Sequence, residues 1–323
     1  MTEAGADGAD EAVATLRDRY RGLLFGLALG DAVAAPAQHR RPGTFTRIGD
    51  LIGGGPYDVP CGAWTDDAAV PLLIAESLID AGGLEFADID RRLAAWQIDG
   101  VGSATGQCLG ISATLARALA ARSADPQALV DATRVDREPL PRAAIAAAFE
   151  LADPPRAVAL AADLARLTHS APVVVDACRY AASIAVGVLS GVSRAELLQP
   201  HWAPVPGLWR SEPLHRQVAA IAAGAWREPV EPAVLAAGNA VAALRLLMGA
   251  LASGGGYRDT VLATVNLGLD ADANGALAGQ FVGALSGAAA LPPHWLALLV
   301  DAPRIGATAD RLLAAALGRI LET

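Results

Sequence analysis

From Arg17 to Val33 apolar side chains recur at helical spacing, and Gly22, Gly26 and Gly30 fall on every fourth position. A spacing of four returns to one face of a helix, so this face is bare backbone, suited to close packing. The same period predicts helices over 17–33, 66–82, 87–98, 103–122, 125–134, 142–151, 155–168, 172–190, 193–198, 212–225, 231–252, 257–266, 273–288 and 307–321. No stretch alternates with the period of two that a half-buried strand needs, and no fixed-length repeat is present. Residues 40–63, rich in Gly, Pro and Asp, read as loop, and His201 to Trp209 as an irregular connection. Residues 1–14 are acidic, Gly/Ala-rich and aperiodic, and are expected to form a disordered tail. The pattern predicts an all-α protein, a single compact multi-helix domain over 15–323 with few or no strands.

Two acidic motifs interrupt this apolar pattern. Thr65-Asp66-Asp67 closes the long loop, and Asp270-x-Asp272-x-Asn274-Gly275 sits between the apolar runs Thr260–Leu269 and Ala276–Leu285. Neither arginine nor lysine occurs between Arg47 and Arg91, or between Arg258 and Arg304. An Asp pair at a helix start is commonly only a cap. Four carboxylates set in core-forming sequence are another matter, because a buried ionised carboxylate without a partner costs several kcal/mol or protonates. If the motifs converge, a cation must come from outside, and hard oxygen ligands point to Mg²⁺ or Mn²⁺. The second motif is not a calcium loop: its Gly comes one position early and the closing Glu is missing.

Composition narrows the chemistry further. Hydrophobic residues make up 53 % of the 323, enough for a large core, and aromatics only 5 %, which favours closely packed helices. All 25 basic residues are arginine. Without lysine there is no Schiff-base chemistry, no Walker-type phosphate loop and no Ser-x-x-Lys nucleophile. A net charge of −9 argues against general affinity for nucleic acid. Cys61, Cys108 and Cys178 follow no metal-site or disulfide spacing and read as buried free thiols of a cytoplasmic protein. No signal peptide opens the chain, and Asn239 and Arg245 break the apolar stretch Ala233–Ala252, so no membrane span is expected.

Several motifs together resemble the ADP-ribosylglycohydrolases, a family that includes the dinitrogenase-reductase-activating glycohydrolases and the ADP-ribosyl-acceptor hydrolases. They are Arg21-Gly22-x3-Gly26-x3-Gly30-Asp31-Ala32, Trp64-Thr65-Asp66-Asp67, Asp99-Gly100-Val101-Gly102 and Leu167-Thr168-His169-Ser170. The last runs from Val265-Asn266-Leu267-Gly268 through Asp270, Asp272 and Asn274 to Gly279. Each is weak alone; their order and spacing over about residues 18–300 carry the likeness.

The resemblance implies an all-α fold with an acidic cleft that holds one or two Mg²⁺ or Mn²⁺ ions and cleaves an ADP-ribosyl glycosidic bond at C1″. On this basis Thr65, Asp66, Asp67 and Asp272 are metal ligands, and Asp270 shares a second ion with Asp272. Catalytic roles are expected of Asp66, Asp67, Asp99 and Gln38, and substrate contacts of Asp31, Gly102, Arg137, His169 and Asn274. A lone His beside an apolar helix also suits a packing role. The implied partner is an ADP-ribosylated acceptor or a smaller ribosylated molecule. The chain also departs from the family: Gln38 stands where a Glu is usual, Ala273 where a Thr or Ser ligand is, Ala68 for Thr, and Leu269 for Gly. Asp136-Arg137-Glu138-Pro139-Leu140-Pro141-Arg142 replaces a Gly-rich loop whose backbone N–H groups would face phosphate. These departures leave a catalytically silent ADP-ribose binder as the alternative to a hydrolase.

Overall fold

The computed structural model describes residues 3–322 apart from 126, 127, 129 and 237, with side chains between 11 and 319. Among the described residues the first half forms α1 (Glu3–Ala34), α2 (Asp66–Ala81), α3 (Phe86–Asp99), α4 (Ala113–Ala124), α5 (Leu140–Phe149), α6 (Pro154–Ala165), α7 (Pro172–Leu189) and α8 (Arg194–Leu197). The second half forms α9 (Leu208–Ser211), α10 (Arg216–Ala223), α11 (Pro232–Ala236), α12 (Ala240–Ala252), α13 (Tyr257–Val265), α14 (Ala271–Ser286), α15 (Pro293–Leu298) and α16 (Ala302–Glu322). The all-α expectation holds: β pairing among the described residues is confined to the isolated bridges Gln38–Leu269, Gly54–Val59 and Asp136–Asn239.

The centre of the molecule is the antiparallel pair α1–α14. A Cβ on Gly22, Gly26 or Gly30 would collide with the carbonyl of Gly283, Gly279 or Gly275 respectively, and the collisions are reciprocal. The two helices therefore touch backbone to backbone along three successive turns, which is what the four-residue glycine spacing foreshadows. Tyr257 of α13 ties into the same seam, its hydroxyl donating to the Gly26 carbonyl at 2.8 Å. Around this pair, α5 is buried at all ten positions. Helix α7 is long and apolar enough to cross a membrane, but 78 % of it is buried against the other helices, the mark of a core helix. Helices α5 and α12 are also apolar but shorter.

Several boundaries differ from expectation. The helix predicted over 103–122 begins only at Ala113, because Gly100, Gly102, Gly106 and Gly110 all take the left-handed backbone and hold residues 100–112 as a loop. The described residues of 125–134 are not helical, and 231–252 splits into α11 and α12, with Asn239 capping the second piece through its Oδ1. At the other end the backbone of α1 already starts at Glu3, so the stretch expected as a tail is helical, in keeping with its alanines and their helix propensity; Met1 and Thr2 lie outside the described residues.

Candidate active site

Because α1 and α14 run antiparallel, the C-terminal end of α1 and the N-terminal end of α14 meet at one end of the seam. Asp31 follows Gly30, the last glycine of the seam on α1, and Asp272 lies in the first turn of α14. Helix α2 begins at the same place, with Asp66 and Asp67 in its first turn. Two helix N-termini thus converge, and their partial positive ends favour the anionic side chains gathered there.

Asp66, Asp67 and Asp272 come together so that one ligand oxygen from each lies within 4.8 Å of the others. Asp272 is buried, while Asp66 and Asp67 keep part of their surface open. None of the three has an arginine or histidine ion-pair partner among the described residues. Burial, followed by mutual repulsion, raises Asp66 and Asp67 well above the usual carboxylate range. Burial also pushes Asp272 up to about 6, against the pull of the Ala273 backbone N–H, with Asp270 adding to the rise and His39 opposing it. Like charges held this close in a partly dry site demand a cation or protons. Three carboxylates are the hard donor set that Mg²⁺ or Mn²⁺ takes, so the residues present fit such an ion.

Asp31 sets the geometry of α2 from the neighbouring helix. Its Oδ2 accepts from the backbone N–H of Thr65 (2.9 Å) and of Ala68 (3.0 Å), and its Oδ1 accepts from the Thr65 hydroxyl (2.9 Å). It therefore caps α2 in place of Thr65, whose own side chain makes no cap bond. With its proton committed to Asp31, Thr65 Oγ1 keeps lone pairs available to a metal. Burial and then Asp272 push Asp31 up to about 7. Gln38 also joins the group, its Nε2 donating to Asp272 Oδ2. The backbone around Gln38 is bound to that before α14, with His39 N donating to Leu269 O and Leu269 N to Arg40 O, both at 2.7 Å. Leu269 is left-handed at φ 55°, a strained state for leucine and an ordinary one for glycine.

Other expected residues lie elsewhere. Asp270 falls outside the carboxylate trio, and its Oδ2 faces Arg137 Nε at 3.4 Å. That pairing corrects the reading that both acidic motifs lack a cation; the arginine comes from a distant loop. Arg137 and Asn274 are buried against each other, Arg137 Nη1 donating to Asn274 Oδ1 and Asn274 Nδ2 to the Ala236 carbonyl (3.0 Å). His169 is wholly buried between Thr168 (Nδ1 to Oγ1, 2.8 Å) and Asp136 (Nε2 to Oδ1, 2.7 Å). Because Arg142 already donates to Thr168 Oγ1 (2.9 Å), the Thr168 hydroxyl proton goes to Nδ1 and Nε2–H donates to Asp136. Each of these side chains is engaged by protein groups in the structure. Gly102 gives its carbonyl to Arg304 Nη1 (2.9 Å). Asp99 ends α3 in an exposed position and does not join the trio.

Sequence reasoning passes over four residues at this site. Glu138 lies close enough to raise Asp66 and Asp67, and is fixed by Ser112 Oγ and Arg142 Nη2. Tyr57, raised first by burial and then by Asp66, Asp272 and Asp67, stands beside the trio on the loop before α2. Cys108 is raised by burial and by Asp66, and is only partly buried; Cys61 is exposed, so only Cys178 matches the expected buried thiol. Gly110, at φ 88°, passes so close that a Cβ would strike Asp66 Oδ1. Only Glu138 carries a signal, as the second acid in the loop that replaces the Gly-rich one. A separate hollow of about 340 Å³ between α12 and α13, lined by Trp226, Leu246 and Leu267 among others, contains none of these carboxylates.

Known proteins match both the sequence and this architecture. The profile of the ADP-ribosylglycohydrolase family covers residues 12–320. An ADP-ribosylarginine hydrolase Tri1 from Serratia proteamaculans (strain 568) is 30 % identical over 304 residues, 91 % of this chain and 79 % of that protein. A Tri1 hydrolase of the same description from Pseudomonas putida (strain GB-1) is 28 % identical over 282 residues, 86 % of this chain and 73 % of that protein. A solved chain described as an ADP-ribosylglycohydrolase-related protein complex superposes with a TM-score of 0.81 at 29 % identity, covering 94 % of this chain and 99 % of its own. In sequence and in fold alike, the chain belongs to the ADP-ribosylglycohydrolase family, whose members are glycosidase-type hydrolases.

Proposed function

We propose that this hydrolase releases ADP-ribose from modified arginine side chains of proteins, and that it works with a Mg²⁺ or Mn²⁺ ion held by Asp66, Asp67, Asp272 and Thr65. The observation that carries the reading is the trio of carboxylates within 4.8 Å of one another, none of them in an ion pair among the described residues. The arginine specificity rests on the two Tri1 relatives, which are ADP-ribosylarginine hydrolases. A bound ion supplies Lewis acidity and a fixed mount for ribose hydroxyls and water.

The chain's own residues account for the rest. Asp31 fixes the Thr65 hydroxyl and the start of α2, and Gln38 fixes Asp272 through its amide. Asp66 and Asp67, partly open beside Asp272, are placed to orient an attacking water and to accept its proton. Their negative charge, with Glu138 behind them, favours the oxocarbenium-like centre that forms as a ribosyl bond breaks. The same charge suits a substrate guanidinium, whose positive charge passes to the ribosyl centre as the bond breaks; the guanidine departs neutral and then takes up the proton released by the attacking water.

A second reading has one observation in its favour. The loop of residues 136–139 before α5 presents two acids and no glycine, and Arg137 is turned onto Asn274, so a diphosphate gains little there. That arrangement favours a smaller riboside. Purified chain is therefore incubated with an arginine-linked ADP-ribosyl peptide, a serine-linked one and a riboside without diphosphate, each with Mn²⁺ and with chelator. Release of ADP-ribose from the arginine-linked peptide alone, and only with metal, is expected. Intact arginine linkage beside turnover of either other substrate rejects the arginine reading, and full activity in chelator rejects the metal.

A further inference from the structure

We propose that the site binds one divalent ion, and that the guanidinium of Arg137 stands in place of the second. The inference rests on the metal reading above and concerns how many ions that site accepts. A second ion of the kind the resemblance implies draws on Asp270, on the other oxygen of Asp272, on a carboxylate at position 38 and on a hydroxyl at position 273. Each of these four ligands is lost or engaged.

Asp270 lies outside the trio and faces Arg137 Nε at 3.4 Å. The guanidinium cannot swing away. Arg137 is 4 % exposed, its Nη1 donates to Asn274 Oδ1, and Nη1 and Nη2 lie 3.5 and 3.4 Å from the Leu235 carbonyl. Nε is buried without a hydrogen-bond acceptor in line, so the edge turned toward Asp270 is the one that the scaffold leaves unsatisfied. Gln38 donates an amide N–H to Asp272 Oδ2, which puts the positive end of a dipole where a second ion needs a lone pair. Ala273 offers no oxygen at all.

A small hard ion such as Mg²⁺ takes about six oxygens in near-octahedral order. Here it would meet one contested carboxylate and one already paired with arginine. A guanidinium keeps its charge at every working pH and does not dissociate as an ion does. The positive charge beside Asp270 is therefore permanent, and a single binding event arms the site.

Mn²⁺ titration of the metal-free chain, followed by calorimetry and by electron paramagnetic resonance, tests this without an activity assay. One ion per chain with the spectrum of an isolated Mn²⁺ is expected. The double variant Gln38→Glu/Ala273→Thr restores two ligands but keeps the guanidinium, and is expected to bind a second ion at least about tenfold more weakly than the triple variant that adds Arg137→Gln. Two ions with an exchange-coupled spectrum in the unmodified chain overturn the proposal, a result that stands even if the triple variant does not fold. Equal second-ion affinity in the double and triple variants overturns it as well. No ion in the unmodified chain overturns both the proposal and the metal reading beneath it.

Discussion

Gly110 shows how closely one residue can govern the site. Any side chain there meets the Asp66 carboxylate, and φ 88° is a conformation that alanine avoids at about 1–2 kcal/mol. Gly110→Ala is therefore expected to displace Asp66 by a fraction of a turn of its side chain and to lower kcat/KM on the order of 10²-fold, the usual effect of a misplaced catalytic group. Far-ultraviolet circular dichroism should be unchanged, since the strain is confined to the loop. A Gly110→Ala enzyme with undiminished kcat/KM would show that Asp66 does not need its observed position. At this scale the sequence discloses what is local. Asp66, Asp67 and Asp272 stand out because apolar runs surround them and the pattern offers no reason for acids there. The partner of Asp270 is invisible in the same text: Arg137 reaches it across the tertiary fold, and nothing in the segment around Asp270 records the encounter. Asn274 and His169 likewise read as ligand contacts in a motif, and the fold buries both against protein partners that the motif does not record.

At the scale of elements, the α1–α14 seam makes the sharpest demand. Gly26 faces the carbonyl of Gly279 and the Cα of Gly283, so an added methyl group meets backbone on the far side rather than a side chain that can rotate. Overpacking a core costs about 1–3 kcal/mol, and Gly26→Ala is expected at the top of that range in urea denaturation. Pairing it with Leu277→Ala, which removes bulk elsewhere on α14, should give no recovery. A change under about 0.5 kcal/mol, the level of an ordinary surface substitution, would mean that the helices can part without penalty. This contact is legible in the sequence, because glycines four apart on an apolar helix leave one face with nothing but backbone to offer a neighbour. The loop of residues 100–112 is not legible, since its apolar residues fit a helical period and only the tertiary site requires its glycines to turn left-handed. Helix ends blur for a similar reason: α2 is capped by Asp31 from another helix, a cap no neighbouring sequence can announce.

For the whole molecule, the proposed ion would make the metal-free state the less stable one, because three close carboxylates repel one another without it. An ion that binds only the native chain adds about 2.7 kcal/mol at 100 times its dissociation constant, so thermal melts in Mn²⁺ should run several degrees above those in chelator. Asp272→Asn should abolish the difference, and coincident melts of the unmodified chain would remove the case for a bound ion. The molecule also separates what must stay fixed from what can vary. Asp31 and Asp272 are carried by two helices in direct main-chain contact, so the gauge of the charged floor is set by peptide dimensions and not by the choice of any side chain. The walls are loops from the stretches before α2, between α3 and α4, and before α5. Sequence drift in those loops can therefore admit a new acceptor, or exclude an old one, while the distance between the floor's charges remains the same to within the tolerance of covalent geometry.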